Sequence, residues 1–300
     1  MALITHVSAG TRVVEAKYDI GDIIFNIDIY KTPLLSSLPK GKATDISPAI
    51  ITDSLASVNS SNYHAQTENA PVASDTTRVK VPNHTQIVMV TMEVTDTQNA
   101  VAQYGISKEA LYQEAKKAKE LARDIEGILA SDQAAQEPTI ANGSIGKMAG
   151  MSAFIASNTT ANSSFSQANF DALIAACVAA GGDPTVAYMD ATNKLAAAAW
   201  VERTTVVVNA AGLETVVKNV DYYKSALGNQ VNLVYHYLLP RDYASSAAHT
   251  LIIQPDLWEI LELIPITRKV LPDLGSGPSV LLKGELSLLH HGEAGNAQFY

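Results

Sequence analysis

The side chains able to do chemistry are few and dispersed. Seven histidines and one cysteine are spread over 300 residues, and the one adjacent histidine pair is His290-His291. A zinc-type centre needs three or four His, Cys or carboxylate ligands converging on one point. This pair would need His236 or His249 to join it, and it sits at the end of a predicted strand, Val280 to Leu289, where neighbouring side chains face opposite ways. It reads as one buried and one exposed imidazole. Gly143-Ser144-Ile145-Gly146-Lys147-Met148 has glycines and a lysine but lacks the spacing and the following hydroxyl residue of a phosphate-binding loop. Asp124 and Glu126 lie on the charged side of a predicted helix and read as solvated charges or contacts between subunits. There is no G-x-S-x-G, H-E-x-x-H or C-x-x-C motif, and no visible set of nucleophile, base and orienting group. The expectation is a non-enzyme with no catalytic residue, no cofactor and no metal.

The elements that carry these residues are clearer than any site. Gln86 to Thr95 alternates Val88, Val90, Met92 and Val94 with Ile87, Met89, Thr91, Glu93 and Thr95, which predicts a strand. Ser107 is an acceptable N-cap for a helix of about 25 residues, roughly 37 Å long. Its core stripe is Leu111, Ala115, Ala118, Ala122, Ile125 and Leu129, with Lys116, Lys117, Lys119, Glu120, Arg123 and Glu126 on the other faces. Ser166 to Ala180 predicts a helix stopped by Gly181-Gly182-Asp183-Pro184, followed by a strand, Thr185 to Met189, and an alanine-rich helix, Thr192 to Val201. Thr215 to Leu239 predicts a hairpin turning at 226–230, and Thr250 to Ile253, Leu257 to Ile264 and Val280 to Leu289 predict closing strands. The remainder is irregular. Residues 1–42 mix apolar residues with Gly21, Pro33 and Pro39, and Asp22 to Tyr30 suits a short helix or strand; residues 43–77 are polar and read as a long solvent-reaching loop.

Charged residues make up 17% of the chain, below the roughly 25% usual for soluble domains. A weakly charged surface suits burial against partners. The net charge of -9 argues against a chain that wraps nucleic acid, which needs clustered Lys and Arg. Cys177 sits in an apolar run and reads as a small buried hydrophobe, so no intrachain disulfide is available and a reducing compartment fits. Met1 to His6 lacks a basic region leading into a long apolar run, and no stretch approaches 18 apolar residues, so the expected location is a cytoplasm, with no membrane partner. An arm and a long loop cannot bury their own backbone, and the economical cover is a neighbouring subunit of a closed symmetric assembly.

Pro82 to Ile87, Val94 to Val101 (VTDTQNAV) and Lys116 to Gly127 (KKAKELARDIEG) resemble the major capsid proteins of the SU-ten-like family of tailed bacteriophages, which have the Hong Kong 97-type fold. Asp53-Ser54-Leu55 and Glu68 within Gln66 to Ala70 are similar to that family's extended loop, although Asn69 stands where similar proteins have Gly. The resemblance is dense over about 15–155 and thinner beyond. It implies an α+β fold with an N-terminal arm (1–42), an extended β-hairpin loop (43–95), a peripheral domain (96–164) holding a spine helix (107–132), an axial domain (165–245) and peripheral closing strands (246–300). It also implies self-assembly into pentamers and hexamers of an icosahedral shell around double-stranded DNA, with non-specific DNA contact. Partners would be a separate scaffolding protein, a portal and a decoration protein, with assembly in a bacterial host cytoplasm. Lys42 and Lys80 are candidates for the Lys-Asn crosslinks that certain capsids of this fold form. An encapsulin-like nanocompartment shell or a minor virion protein is the alternative that shares the fold.

Overall fold

Strand alternation and helix periodicity account for most of the described chain. The computed structural model describes residues 31–53, 55–67, 69–70, 77–101, 108–160, 165–200, 205–208, 214–217, 221–239, 250–272, 277 and 279–300. In chain order the elements are α1 (Pro33–Ser37), β1 (Lys40–Lys42), β2 (Ala49–Thr52), β3 (Val79–Pro82), β4 (Gln86–Glu93), α2 (Asp96–Ala100) and α3 (Glu109–Ala130). They continue through α4 (Met151–Phe154), β5 (Thr159–Thr160), α5 (Gln167–Ala179), β6 (Val186–Met189), α6 (Ala191–Ala199), β7 (Thr205–Val208) and β8 (Glu214–Val217). The last are β9 (Tyr222–Lys224), β10 (Gln230–Tyr235), β11 (Thr250–Ile253), β12 (Trp258–Val270), β13 (Ser279–His290) and β14 (Ala297–Phe299).

Two sheets organise these elements. One has the order β1-β12-β13-β4, antiparallel except for the parallel pairing of β1 with β12. The other has the order β5-β14-β11-β6-β10-β9. The first core lies between the first sheet and α3, where Leu121, Ile125 and Leu129 meet Val88, Trp258, Ile260, Leu282 and Leu288. A second core packs α5 and α6 on the other sheet through Phe170, Ile174, Cys177, Ala197 and Val231. Because successive residues of a strand face opposite ways, β6 sends Ala187 and Met189 into the second core and Tyr188 into the first. Likewise β11 sends Ile252 one way and Leu251 and Ile253 the other, so the six-stranded sheet is apolar on both faces. The predicted strands and helices of residues 166–199, the hairpin of β9 and β10, and β11, β12 and β13 all appear, with Ser166 capping α5 through the Asn169 amide.

Several expectations need correction. α3 starts at Glu109 after Lys108, whose side chain caps nothing, and Ser107 lies outside the described residues. The core stripe of α3 is buried only in its C-terminal half: Leu111, Ala115 and Ala118 are exposed, and Ala122 is half-buried. Glu126 is not on a solvated face. It is fully buried, because α1 lies over that side of the helix end. The short helix α1 was not predicted, since a five-residue element leaves no periodicity. Within the expected extended β-hairpin loop no correction is needed at the base, where Ala49–Thr52 and Val79–Pro82 pair antiparallel. β7 and the closing strand β14 were also missed, and β8, at the start of the first predicted β-rich run, pairs with β7 and not within the predicted hairpin. The element expected over Asp22 to Tyr30 lies outside the described residues.

Asn83 joins the hairpin to the body. Its buried side chain donates to the Leu288 carbonyl at 2.6 Å and accepts from the Ala149 and His84 amides at 2.9 Å each. Asn83→Ala should therefore lower the unfolding free energy of the unassembled subunit by about 1–3 kcal/mol, since it strands a buried acceptor and a buried donor. Urea denaturation checks this, and an unchanged midpoint would refute the anchoring role.

Candidate functional site

The candidate site is a set of surfaces and the anchors that aim them. Glu126 sits one turn before the end of α3, and its side chain is 0% exposed. Its Oε1 accepts from the Leu34 amide at 2.7 Å, and its Oε2 accepts from the Leu35 amide at 2.8 Å. These amides belong to the first turn of α1, where helix N–H groups have no partner within the helix. Oε1 also lies 2.7 Å from Nε2 of His236, which is 0% exposed and follows β10. A few residues on, the Ser37 hydroxyl is 2.7 Å from the Tyr188 hydroxyl of β6. Burial is the main cause that pushes the Tyr188 phenol above its ordinary range. α1 is thus tied to the long helix and to the second sheet.

The second anchor aims the hairpin. Besides Asn83, the Asn83 and Thr85 amides donate to the carbonyls of Pro48 and Ile46 at 2.9 Å each, and the Thr85 hydroxyl donates to Glu285 at 2.6 Å. The hairpin carries apolar side chains with no cover in one subunit: Leu55 is 98% exposed, and Val58, Tyr63 and Ile51 are also exposed. Arg78 and Asp53 pair across it at 3.1 Å, an exposed contact worth at most about 1 kcal/mol. Its base overlooks a cavity of about 420 Å³ lined by Thr52, Val81, Gly181, Gly182, His290 and Glu293, among others.

A model of the SU10 major capsid protein matches residues 5–299. The chain belongs to the SU10 major capsid protein family. A major capsid protein of Escherichia phage Phieco32 is 39% identical over 103 residues, which spans 34% of this chain and 29% of that protein. The chain thus matches under a third of that relative's length. Among solved structures, the cyanophage A-1(L) capsid is 12% identical with a TM-score of 0.67, covering 95% of this chain and 96% of that one. The holo-SrpI encapsulin complex from Synechococcus elongatus PCC 7942 is 9% identical with a TM-score of 0.58, covering 89% and 86%. These likenesses give the fold of this family member as the Hong Kong 97 type.

The other residues singled out in the sequence do not come together. His290 is buried against Phe154 and Trp258, while His291 is exposed and 3.8 Å from Glu259. His236 belongs to the Glu126 anchor, and His249 lies outside the described residues. Among the described residues no three His, Cys, Asp or Glu cluster as metal ligands. Gly143 adopts φ +69° to end a turn closed by the Gln136–Lys147 bridge, so the glycines there serve backbone geometry. Burial pushes the Cys177 thiol up to about 12, which makes it inert. Asp124 is exposed as expected; Lys42 and Lys80 are exposed as well. Sequence reasoning missed the Glu126 anchor, because nothing in the helix pattern distinguishes this acidic residue from its solvated neighbours.

Removing the carboxylate strands a buried amide, a part-buried amide and a buried imidazole. Glu126→Ala should cost about 3–5 kcal/mol by denaturant titration, against less than about 0.5 kcal/mol for exposed Asp124→Ala. Similar losses for both would refute the distinction. A pH effect follows from His290 and Glu293. Burial is the main cause that holds the His290 imidazole below its ordinary value of 6.5. Burial alone would raise Glu293, but hydrogen bonds from the Ser157 hydroxyl and the Ala156 and Ser157 amides outweigh it and lower the carboxyl below 4.5. Both groups bind protons more readily when unfolded, so their stabilisation is present above the unfolded values and is lost as pH falls. Stability should drop from pH 7 toward 5 through His290 and further below 4.5 through Glu293. In His290→Phe the first drop should vanish, as followed by urea titration at stepped pH.

Proposed function

We propose that this chain is a shell-forming major capsid subunit whose assembly into pentamers and hexamers encloses packaged double-stranded DNA. One observation carries the reading: an anchored hairpin displays Leu55, Val58 and Tyr63 to solvent, a surface that one subunit cannot bury. Apolar area at this density on a projecting element is characteristic of an interaction surface. Family membership supports the role. The chain acts through geometry and not as an enzyme.

In this reading residues 1–42 form the arm, 96–164 and 246–300 the peripheral domain around α3, and 165–245 the axial domain that clusters at the symmetry axes. The expected loop, 43–95, includes β4, which is hydrogen-bonded to β13 within the first sheet, so the projecting part is taken as 43–85. The acidic balance limits DNA contact to a non-specific kind. A separate scaffolding protein, a portal and a decoration protein complete the partners, and assembly takes place in the bacterial cytoplasm before the subunit resides in the virion. An encapsulin-like shell is the second reading, favoured by the fold likeness to the encapsulin complex; it would enclose cargo protein in place of DNA.

Electron microscopy of particles assembled from the purified chain should show icosahedral shells. Replacing 55–77 by a short Asn-Gly turn should leave the unassembled subunit with a wild-type melting temperature but abolish shells. Shells of normal yield without the hairpin, or no shells from the intact chain with or without scaffold, would overturn the proposal. Cargo protein inside wild-type shells would favour the encapsulin reading.

A further inference from the structure

The cavity under the base of the hairpin carries one sign of charge and nothing to balance it. Among its described lining residues Glu293 is the one carboxylate, and there is no lysine or arginine. The carboxylate is kept ionised by the Ser157 hydroxyl and the Ala156 and Ser157 amides, none of which is a cation. Gly181 and Gly182 of the cavity wall follow the C-cap of α5, where a helix carries about half a negative charge. Both features favour a cation in this space of about 420 Å³.

His290 is a second, independent sign of a ligand. It lines the cavity, is only 4% exposed, and its Nδ1 is shut in with no hydrogen-bond partner among the described residues. The ring is held by packing against Phe154 and Trp258, which leaves Nε2 to meet whatever enters the cavity. Burial holds the imidazole below its ordinary value of 6.5, so the ring is neutral at pH 7 and, with its proton on Nδ1, accepts an N–H at Nε2.

The free acceptor positions select the head group. Oε2 of Glu293 already accepts from two amides and Oε1 from one hydroxyl, so of roughly four lone-pair positions one is left, on Oε1. A guanidinium pairs best with both oxygens of a carboxylate at once. An ammonium is a point charge with three rotatable donors, able to give one N–H to Oε1 and another to the imidazole. Val81, Leu257 and Ala294 supply apolar wall for an aliphatic stem.

We propose that this cavity binds a primary ammonium on an aliphatic stem, with the head group between Glu293 and His290 and the stem along Val81 and Leu257. Thr52 and Val81 belong to β2 and β3, so the ligand ties the base of the hairpin to the body. A free alkylamine and a lysine of a second copy offer the same chemistry. The site lies within one subunit and does not rest on shell formation.

Isothermal titration calorimetry of the unassembled full-length chain at neutral pH tests it with n-butylammonium, n-butylguanidinium and n-butanol. The ammonium should bind saturably, at least tenfold more tightly than the guanidinium, and butanol should give no saturable heat. Glu293→Gln should weaken binding at least tenfold. Because Glu293 also holds Ala156 and Ser157, a second variant leaves those bonds alone. A Cβ at Gly292 would meet nothing within 4 Å, and the φ of −179° there is extended backbone that any residue adopts. Gly292→Val should therefore keep the wild-type melting temperature while its side chain fills the cavity and abolishes binding. No saturable binding by the wild-type chain, equal affinity for the guanidinium, or unchanged binding in Gly292→Val would overturn the proposal. Size-exclusion chromatography of assembled subunits in excess n-butylammonium separates the sources: displacement of a second copy's lysine should shift elution toward smaller species, and a site for free amine should leave it unchanged.

Discussion

A carboxylate with no access to water governs how this subunit is put together. Taking Glu126 out of water costs several kcal/mol, and that cost is offset only if its oxygens find donors. The donors are two amides of α1, ninety residues away in sequence, and they leave room for the His236 imidazole from beyond β10. Hydrophobic contacts tolerate small slips of one element over another; these bonds do not. Leu34, Glu126 and His236 must arrive together, and with them α1, the long helix and the end of β10 in the second sheet. Because β6 and β11 send side chains to both cores, whatever fixes the second sheet against α3 also fixes the two cores relative to each other.

The parts of this arrangement legible in the sequence were those with a period. Alternation marked Gln86–Glu93, a Ser cap and a Gly-Gly stop bracketed α5, and the hairpin of β9 and β10 announced itself by β-rich runs around a turn. The stripe on α3 was legible too, yet sequence alone could not say where its cover ends, since cover is a property of other elements. Glu126 was hidden for a related reason: an acidic residue on a lysine-rich helix reads as solvated until a backbone amide is known to lie against it. Short elements such as α1, β2 and β14 owe their existence to pairing with distant partners and leave almost no local trace. The family came from a recognisable stretch of residues and not from chemistry, because no converging set of catalytic or ligating groups was there to be read.

A subunit built this way is incomplete by itself. Leu55, Val58 and Tyr63 on the hairpin gain little from folding of one chain, and in the proposed shell their burial would come with association. The free subunit therefore keeps only part of the stability that its composition could supply, and association provides the rest, so its measured stability depends on how much of it is assembled. The low fraction of charged residues fits the same division, since surfaces destined for burial gain nothing from charge.

Asn83 gives this arrangement a mechanical meaning. It bolts the base of the hairpin to β13, the strand flanked on both sides by β12 and β4, and to the segment that follows α3. A tug on the hairpin by whatever holds it is delivered to the middle of an antiparallel ladder. If the pull runs along the strands, many hydrogen bonds are loaded at once in shear and none is peeled open singly. A wall made of such pieces would carry tension through its sheets, while its loops merely pass the force along.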